Sequence, residues 1–154
     1  MEIRLANLTD KEALIALALE NKNELQYLNI PVSSSKIEKT IENLFILSKG
    51  SYVVFVAETA SGELAGGLLA SLERYFYSDE LQAQLIQWYV KKRFRGTTIA
   101  PRLLKAYVEW AKRSGSAKLN RSDKCIIGVF SLGKGAGAGD LYEQIIWAAN
   151  APRV

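Results

Sequence analysis

Val90-Lys91-Lys92-Arg93-Phe94-Arg95-Gly96-Thr97-Thr98-Ile99-Ala100-Pro101 carries a long apolar strand, expected over Leu81 to Val90, through a basic loop into the most strongly patterned helix of the chain. Gly96 opens backbone conformations closed to other residues, Thr97 or Thr98 can cap the helix, and a first helical turn leaves N–H groups that no helical bond uses. An oxyanion suits such a place, because the positive end of the helix dipole and those donors act together. With Thr98 as N-cap, Pro101 falls at N3, where its missing N–H breaks no helical bond. Arg93 and Arg95 are expected to add fixed positive charge beside the turn. The plain alternative is a capped helix behind a solvated basic loop, and the surrounding sequence decides between the two.

Downstream, the spacing predicts a helix from Thr98 to Ser114 that buries Ile99, Leu103, Tyr107 and Trp110, shows Arg102, Lys105, Glu109 and Arg113, and ends at Gly115. Upstream, Tyr52 to Ala57 is a β-branched and aromatic run, Ala60 to Glu63 a turn, and Leu64 to Leu72 a second strand. A further turn over Tyr75 to Glu80 leads into Leu81 to Val90, which completes a three-strand antiparallel meander. Before it come a strand at Glu2 to Ala6 and a helix from about Asp10 to Asn21 behind a Thr9/Glu12 capping box. A second helix follows a Ser35/Glu38 box and stops at Gly50. Asn23 to Ser33, interrupted by Pro31, reads as a loop or broken helix. After Gly115 the pattern predicts a strand at Cys125 to Phe130, a glycine-rich loop at Gly133 to Gly139, and a short helix from Asp140 to Ala149.

With 154 residues the chain is one domain's worth, an α/β (α+β) arrangement of a mostly antiparallel mixed sheet flanked by helices. No run approaches a membrane span and the first residues are charged in a strand-like pattern, so a cytoplasmic protein with no membrane partner is expected. The single cysteine, Cys125, precludes an internal disulfide, and its apolar neighbours suit a buried thiol. The absence of histidine excludes Ser/His and Cys/His nucleophile pairs and His-ligated metal sites, and no metal is expected. A net charge of +4 suits a small polyanion as readily as nucleic acid. The run from Lys91 to Arg95 lacks the interleaved aromatics of a base-stacking platform, which disfavours nucleic acid. Gly128 to Gly135 nearly spells a nucleotide-binding GxxxxGK[ST] loop, but Gly135 cannot supply the hydroxyl that holds magnesium.

This order of elements resembles the GNAT superfamily of acyl-CoA-dependent N-acetyltransferases, in an atypical form with a short C-terminus. Val54 to Glu58, Ser61 to Gly66, Val90 five residues before Arg95-Gly96, and Leu141-Tyr142-Glu143-Gln144 are similar to that family's successive signatures. The cofactor motif Q/R-x-x-G-x-G/A falls on Arg95, Thr98 and Ala100, with Thr98 where a glycine is expected. A side chain there crowds a pyrophosphate, although its hydroxyl could also donate to one. Gly135 stands where the family often has asparagine, and Ile146-Trp147 where Gly-Phe is usual.

The resemblance implies an N-acetyltransferase whose co-substrate, acetyl-CoA, lays its pyrophosphate on the turn formed by Arg95, Gly96, Thr97, Thr98, Ile99 and Ala100. Backbone groups at Trp88 and Val90 would hold the pantetheine and polarise the thioester as an acceptor amine attacks directly. Tyr142 would protonate the leaving thiolate, its plain alternative being a helix residue packed on the core. No carboxylate falls between Leu81 and Val90, where Gln84 and Gln87 stand, so the general base is unassigned; Glu73 is the remaining candidate, and an amine that arrives neutral would also serve. The acceptor is not identified by these residues. The alternative is a non-catalytic GNAT-like module for CoA or protein binding. Because the residues after the last helix can form only a strand stub, an open edge at Cys125 to Phe130 is expected to pair with a second copy or a protein partner through the C-terminal half.

Overall fold

The computed structural model describes residues 1–24, 31–46, 51–74, 76–79 and 81–114. Their order is β1 (Glu2–Leu5), α1 (Lys11–Glu24), α2 (Ser34–Ile46), β2 (Tyr52–Glu58), β3 (Leu64–Arg74), β4 (Leu81–Val90) and α3 (Ile99–Arg113). Short 3₁₀ turns at Leu8–Asp10 and Lys92–Phe94 lead into α1 and out of β4. The four strands pair antiparallel in the order β1-β2-β3-β4. None of the described helices is long and apolar enough to cross a membrane. Cys125 to Phe130, the glycine-rich loop and the expected last helix lie outside the described residues.

Strand alternation sorts the core into two layers. Val53, Phe55 and Ala57 of β2 face α3 and pack with Leu85, Trp88, Val90, Ile99, Leu103, Leu104 and Tyr107. Val56 points the other way and joins Leu64, Leu14 of α1 and Ile41 of α2. The helix expected from Thr98 is present with its apolar face buried, although Trp110 is only half-buried. Tyr107, fully buried, donates its hydroxyl to the Ala83 carbonyl at 3.1 Å and so ties α3 to β4.

The helix starts differ from the sequence expectation. Before α1 the capping box lies on Asn7 and Asp10, not on Thr9 and Glu12: the Asn7 side chain accepts from the Thr9 N–H at 2.9 Å, and Asp10 accepts from the Asn7 N–H at 2.8 Å. A tertiary contact selects this register. The Arg4 guanidinium forks onto both Asp10 oxygens at 2.8 Å and reaches Glu58 at 2.6 Å, joining β1, β2 and the entry to α1. α2 likewise starts on Ser33, whose hydroxyl accepts from the Lys36 N–H at 3.3 Å, rather than on Ser35.

The Arg4 hydrogen bonds, acting against burial, hold the Asp10 carboxyl below its usual range. The stabilisation is therefore complete above the unfolded carboxyl's pKa of about 4 and is lost as pH falls through the lower folded value. Asp10→Asn should cost about 2 kcal/mol at neutral pH and flatten the acid limb of stability, as measured by urea unfolding between neutral and acid pH. An acid limb identical to that of the parent would remove Asp10 from this role.

Candidate functional site

The site is built around the C-terminal end of β4. Pairing with β3 shifts register between Leu69 and Ala70, whose partners are Gln87 and Leu85, so Ile86 is an extra residue in β4. Before this bulge Ala83 and Leu85 are in the α3 layer; after it Trp88 and Val90 are. Gln87 and Tyr89 consequently turn toward α1 and α2, where they line a cavity of about 830 Å³ with Leu14, Leu17, Asn21 and Ile41. Nothing in composition marks the bulge; the adjacent Leu85 and Ile86, breaking the alternation, are the signal that could have located it.

Trp88 and Val90, expected to serve through their backbones, lie at the end of β4. Lys91 N–H donates to the Ala65 carbonyl at 2.9 Å, so by the alternation of an antiparallel ladder the peptide groups of Val90 and Trp88 turn to the outer edge of β4. Their side chains are committed to the core. The Val90 carbonyl already accepts from Arg95 Nε at 2.9 Å. Close packing fixes this end of the strand: a Cβ on Gly66 would lie 2.7 Å from the Tyr89 carbonyl oxygen and 3.2 Å from Val90 Cα.

The chain then makes the expected turn. Gly96 is left-handed at φ +79°, and among the described residues a Cβ there would meet nothing within 4 Å. Thr97, not Thr98, supplies the hydroxyl at the helix start: it donates to the Phe94 carbonyl at 2.7 Å and lies 3.4 Å from the Ile99 N–H. Thr98 sits at the N-cap position but makes no side-chain capping bond, and it is exposed. The first helical bond runs from Arg102 N–H to the Thr98 carbonyl at 3.1 Å, so the amides of Ile99 and Ala100 stand outside the helical ladder.

The expected free positive charge beside this turn is largely compensated. Lys91 Nζ lies 2.9 Å from Glu63, which Arg93 also contacts, and these hydrogen bonds, that of Lys91 foremost, hold the Glu63 carboxyl low. Arg95 donates to Glu24 at 2.6 Å and stands over the Tyr89 ring at 5.5 Å, while Tyr89 donates its hydroxyl to the other Glu24 oxygen at 2.8 Å. Burial raises the Glu24 carboxyl, but the Arg95 and Tyr89 bonds outweigh it and the net shift is downward. Burial, then the bond to Glu24, pushes the Tyr89 phenol above its ordinary range, so it stays a proton donor. Glu24 was not among the residues singled out from sequence, although it continues the spacing Leu14, Leu17, Asn21 along one face of α1. Glu73 does not line the cavity; it accepts from Ser71 Oγ at 3.2 Å near the far end of β3. Tyr142 lies outside the described residues. No group of three or more His, Cys, Asp or Glu residues that could hold a metal occurs among the described residues.

A family model for the acetyltransferase (GNAT) family matches residues 17–125, more than half of the chain. Ribosomal-protein-alanine N-acetyltransferase from Brucella melitensis superposes with a TM-score of 0.66 at 20% identity, covering 100% of this chain and 97% of that one. The acetyltransferase from Vibrio fischeri gives 0.57 at 18% identity over 75% and 89% of the two chains. An aminoglycoside acetyltransferase from an uncultured soil metagenomic sample, in complex with sisomicin, gives 0.56 at 20% identity over 74% and 71%. At these identities the structures establish likeness of fold. No curated protein sequence matches the chain.

The glycine contacts make a paired prediction. Gly66→Ala should force β3 and β4 apart beside Tyr89 and cost about 1–3 kcal/mol. Gly96→Ala, with open space around the new methyl, should cost only the roughly 1 kcal/mol of a left-handed alanine. Chemical denaturation of both variants checks this, and a larger loss for Gly96→Ala than for Gly66→Ala would contradict it.

Proposed function

We propose that this chain, which belongs to the acetyltransferase (GNAT) family, transfers an acetyl group from acetyl-CoA to an amine that attacks the thioester directly. The observation that carries this reading is the left-handed turn at Gly96, set between the outer edge of β4 and the start of α3 and linked to a large cavity through Tyr89, which lines that cavity and lies against Arg95. Acetyl-CoA supplies an activated acyl carbon and a thiolate leaving group.

Each part of the site then has a task. The turn from Arg95 to Ala100 would bind the pyrophosphate through main-chain N–H groups and the helix dipole, with Lys91, Arg93 and Arg95 engaged by carboxylates and the exposed Lys92 adding positive charge nearby. Outward N–H groups of Trp88 and Val90 would hold the acyl arm and polarise its carbonyl. Arg95 keeps the turn in place by bonding the Val90 carbonyl and Glu24. The exposed Thr98 side chain, free of a capping duty, can rotate away from a phosphate. The amine approaches from the cavity past Gln87 and Tyr89, and as the C–N bond forms its proton passes to solvent water, from which the tyrosine that protonates the thiolate is reprotonated. The C–S bond breaks, and Tyr142 is assigned the protonation of the thiolate.

Two variants test the assignment. Gly96→Asp places a negative charge in the turn and should weaken acetyl-CoA binding at least tenfold while circular dichroism stays that of the parent. Tyr142→Phe should leave that affinity within about twofold and lower turnover about 100-fold or more, measured as CoA released with an amine panel. Unchanged affinity in folded Gly96→Asp would remove the turn from the site. Absence of acetyl-CoA consumption by the parent with every amine would favour a binding module instead.

A further inference from the structure

We propose that the cavity between α1, α2 and the sheet takes an amine carried on an apolar body with an anionic group, and turns away polycations; this names the acceptor class for the acetyl transfer proposed above and rests on it. The walls are supplied by aliphatic side chains such as Leu14, Leu17, Ile41 and Leu44, and the volume of about 830 Å³ exceeds that of a single side chain several times over. Burial of an apolar body is the main attraction such walls offer.

Asn21 breaks this apolar lining. It is 5% exposed and lines the cavity, and its polar atoms are not among the described buried side-chain atoms that are sealed off without a partner, so they open onto the cavity. An amide facing an otherwise aliphatic cavity gives up the apolar burial that a leucine continuing the stripe of Leu14 and Leu17 would add. A ligand supplies what the protein does not: the amide oxygen accepts from an amine, and its NH₂ donates to a carbonyl or carboxylate.

Charge around the cavity selects the sign of the remaining group. Lys22 and Lys36 line it, neither is ion-paired among the described residues, and no described lining residue is acidic. The nearby carboxylate of Glu24 is held by Tyr89 and Arg95. A polyamine would enter a site with uncompensated positive charge, whereas a carboxylate-bearing amine meets complementary charge.

The dipeptide Leu-Phe, its C-terminal amide and spermidine are suitable probes, titrated calorimetrically into the full chain with CoA present. Leu-Phe should bind saturably, about tenfold or more tightly than its amide, with spermidine weakest. Asn21→Leu should raise the ligand-free melting temperature and weaken Leu-Phe about tenfold, a combination that a purely structural Asn21 does not produce. Lys36→Glu, an exposed change that spares the core, should weaken Leu-Phe but not its amide. Spermidine binding as tight as Leu-Phe, or unchanged Leu-Phe affinity in both variants, would overturn the inference. Acetyl-CoA consumption is followed separately: turnover with spermidine alone would keep the acetyl transfer and overturn the acceptor class, whereas Leu-Phe binding without turnover would keep the class of ligand and overturn the transfer.

Discussion

Glu24, the last residue of α1, places one carboxylate oxygen 2.8 Å from the Tyr89 hydroxyl and the other 2.6 Å from Arg95. The end of the first helix is joined there to the end of β4 and to the turn that starts α3, 65 and 71 positions further along the chain. Because Arg95 also holds the Val90 carbonyl, its guanidinium spans the turn and fixes where the backbone of Gly96 to Thr98 stands relative to the strand. Charge-assisted hydrogen bonds of this kind are short and directional, which suits them to hold a loop that has no ladder of its own.

That arrangement changes how an anion would be held. Positive residues cluster before the turn, yet Glu63 takes up Lys91 and Arg93, and Glu24 takes up Arg95. Side-chain charge at the turn is therefore reduced but not cancelled, since Glu63 is shared by two cations and the exposed Lys92 has no ion pair among the described residues, and main-chain donors with the helix dipole add directional attraction. Such donors are fixed in direction and recognise a phosphate by position, whereas a loose cluster of lysines would recognise any polyanion.

The parts of the fold set by local periodicity were legible in the residues themselves. β4 runs from Leu81 to Val90 as expected, and β2, β3 and α3 depart from expectation by no more than two residues at any boundary, because each is long and its apolar spacing is consistent. Helix starts were less legible, since Arg4 selects Asp10 through a contact between strand and turn that no local capping pattern contains. The turn at Gly96 was readable from its own composition, but the fate of its charges was not: Glu24 and Glu63 lie 71 and 30 positions from the arginines they bind. The bulge at Ile86, which decides that Tyr89 and not Trp88 faces the cavity, depends on counting residues across two strands rather than along one.

The proposed transfer depends on one spatial relation, the phosphates of CoA resting on the turn between β4 and α3. Amide chemical shifts of the uniformly ¹⁵N-labelled chain, followed as CoA is added, read that relation residue by residue. Gly96, Thr97, Thr98, Ile99 and Ala100 should show the largest saturable shifts, with Trp88 and Val90 moving in the same titration. Saturable shifts elsewhere with these amides unmoved, or no saturable shift at all, would contradict it.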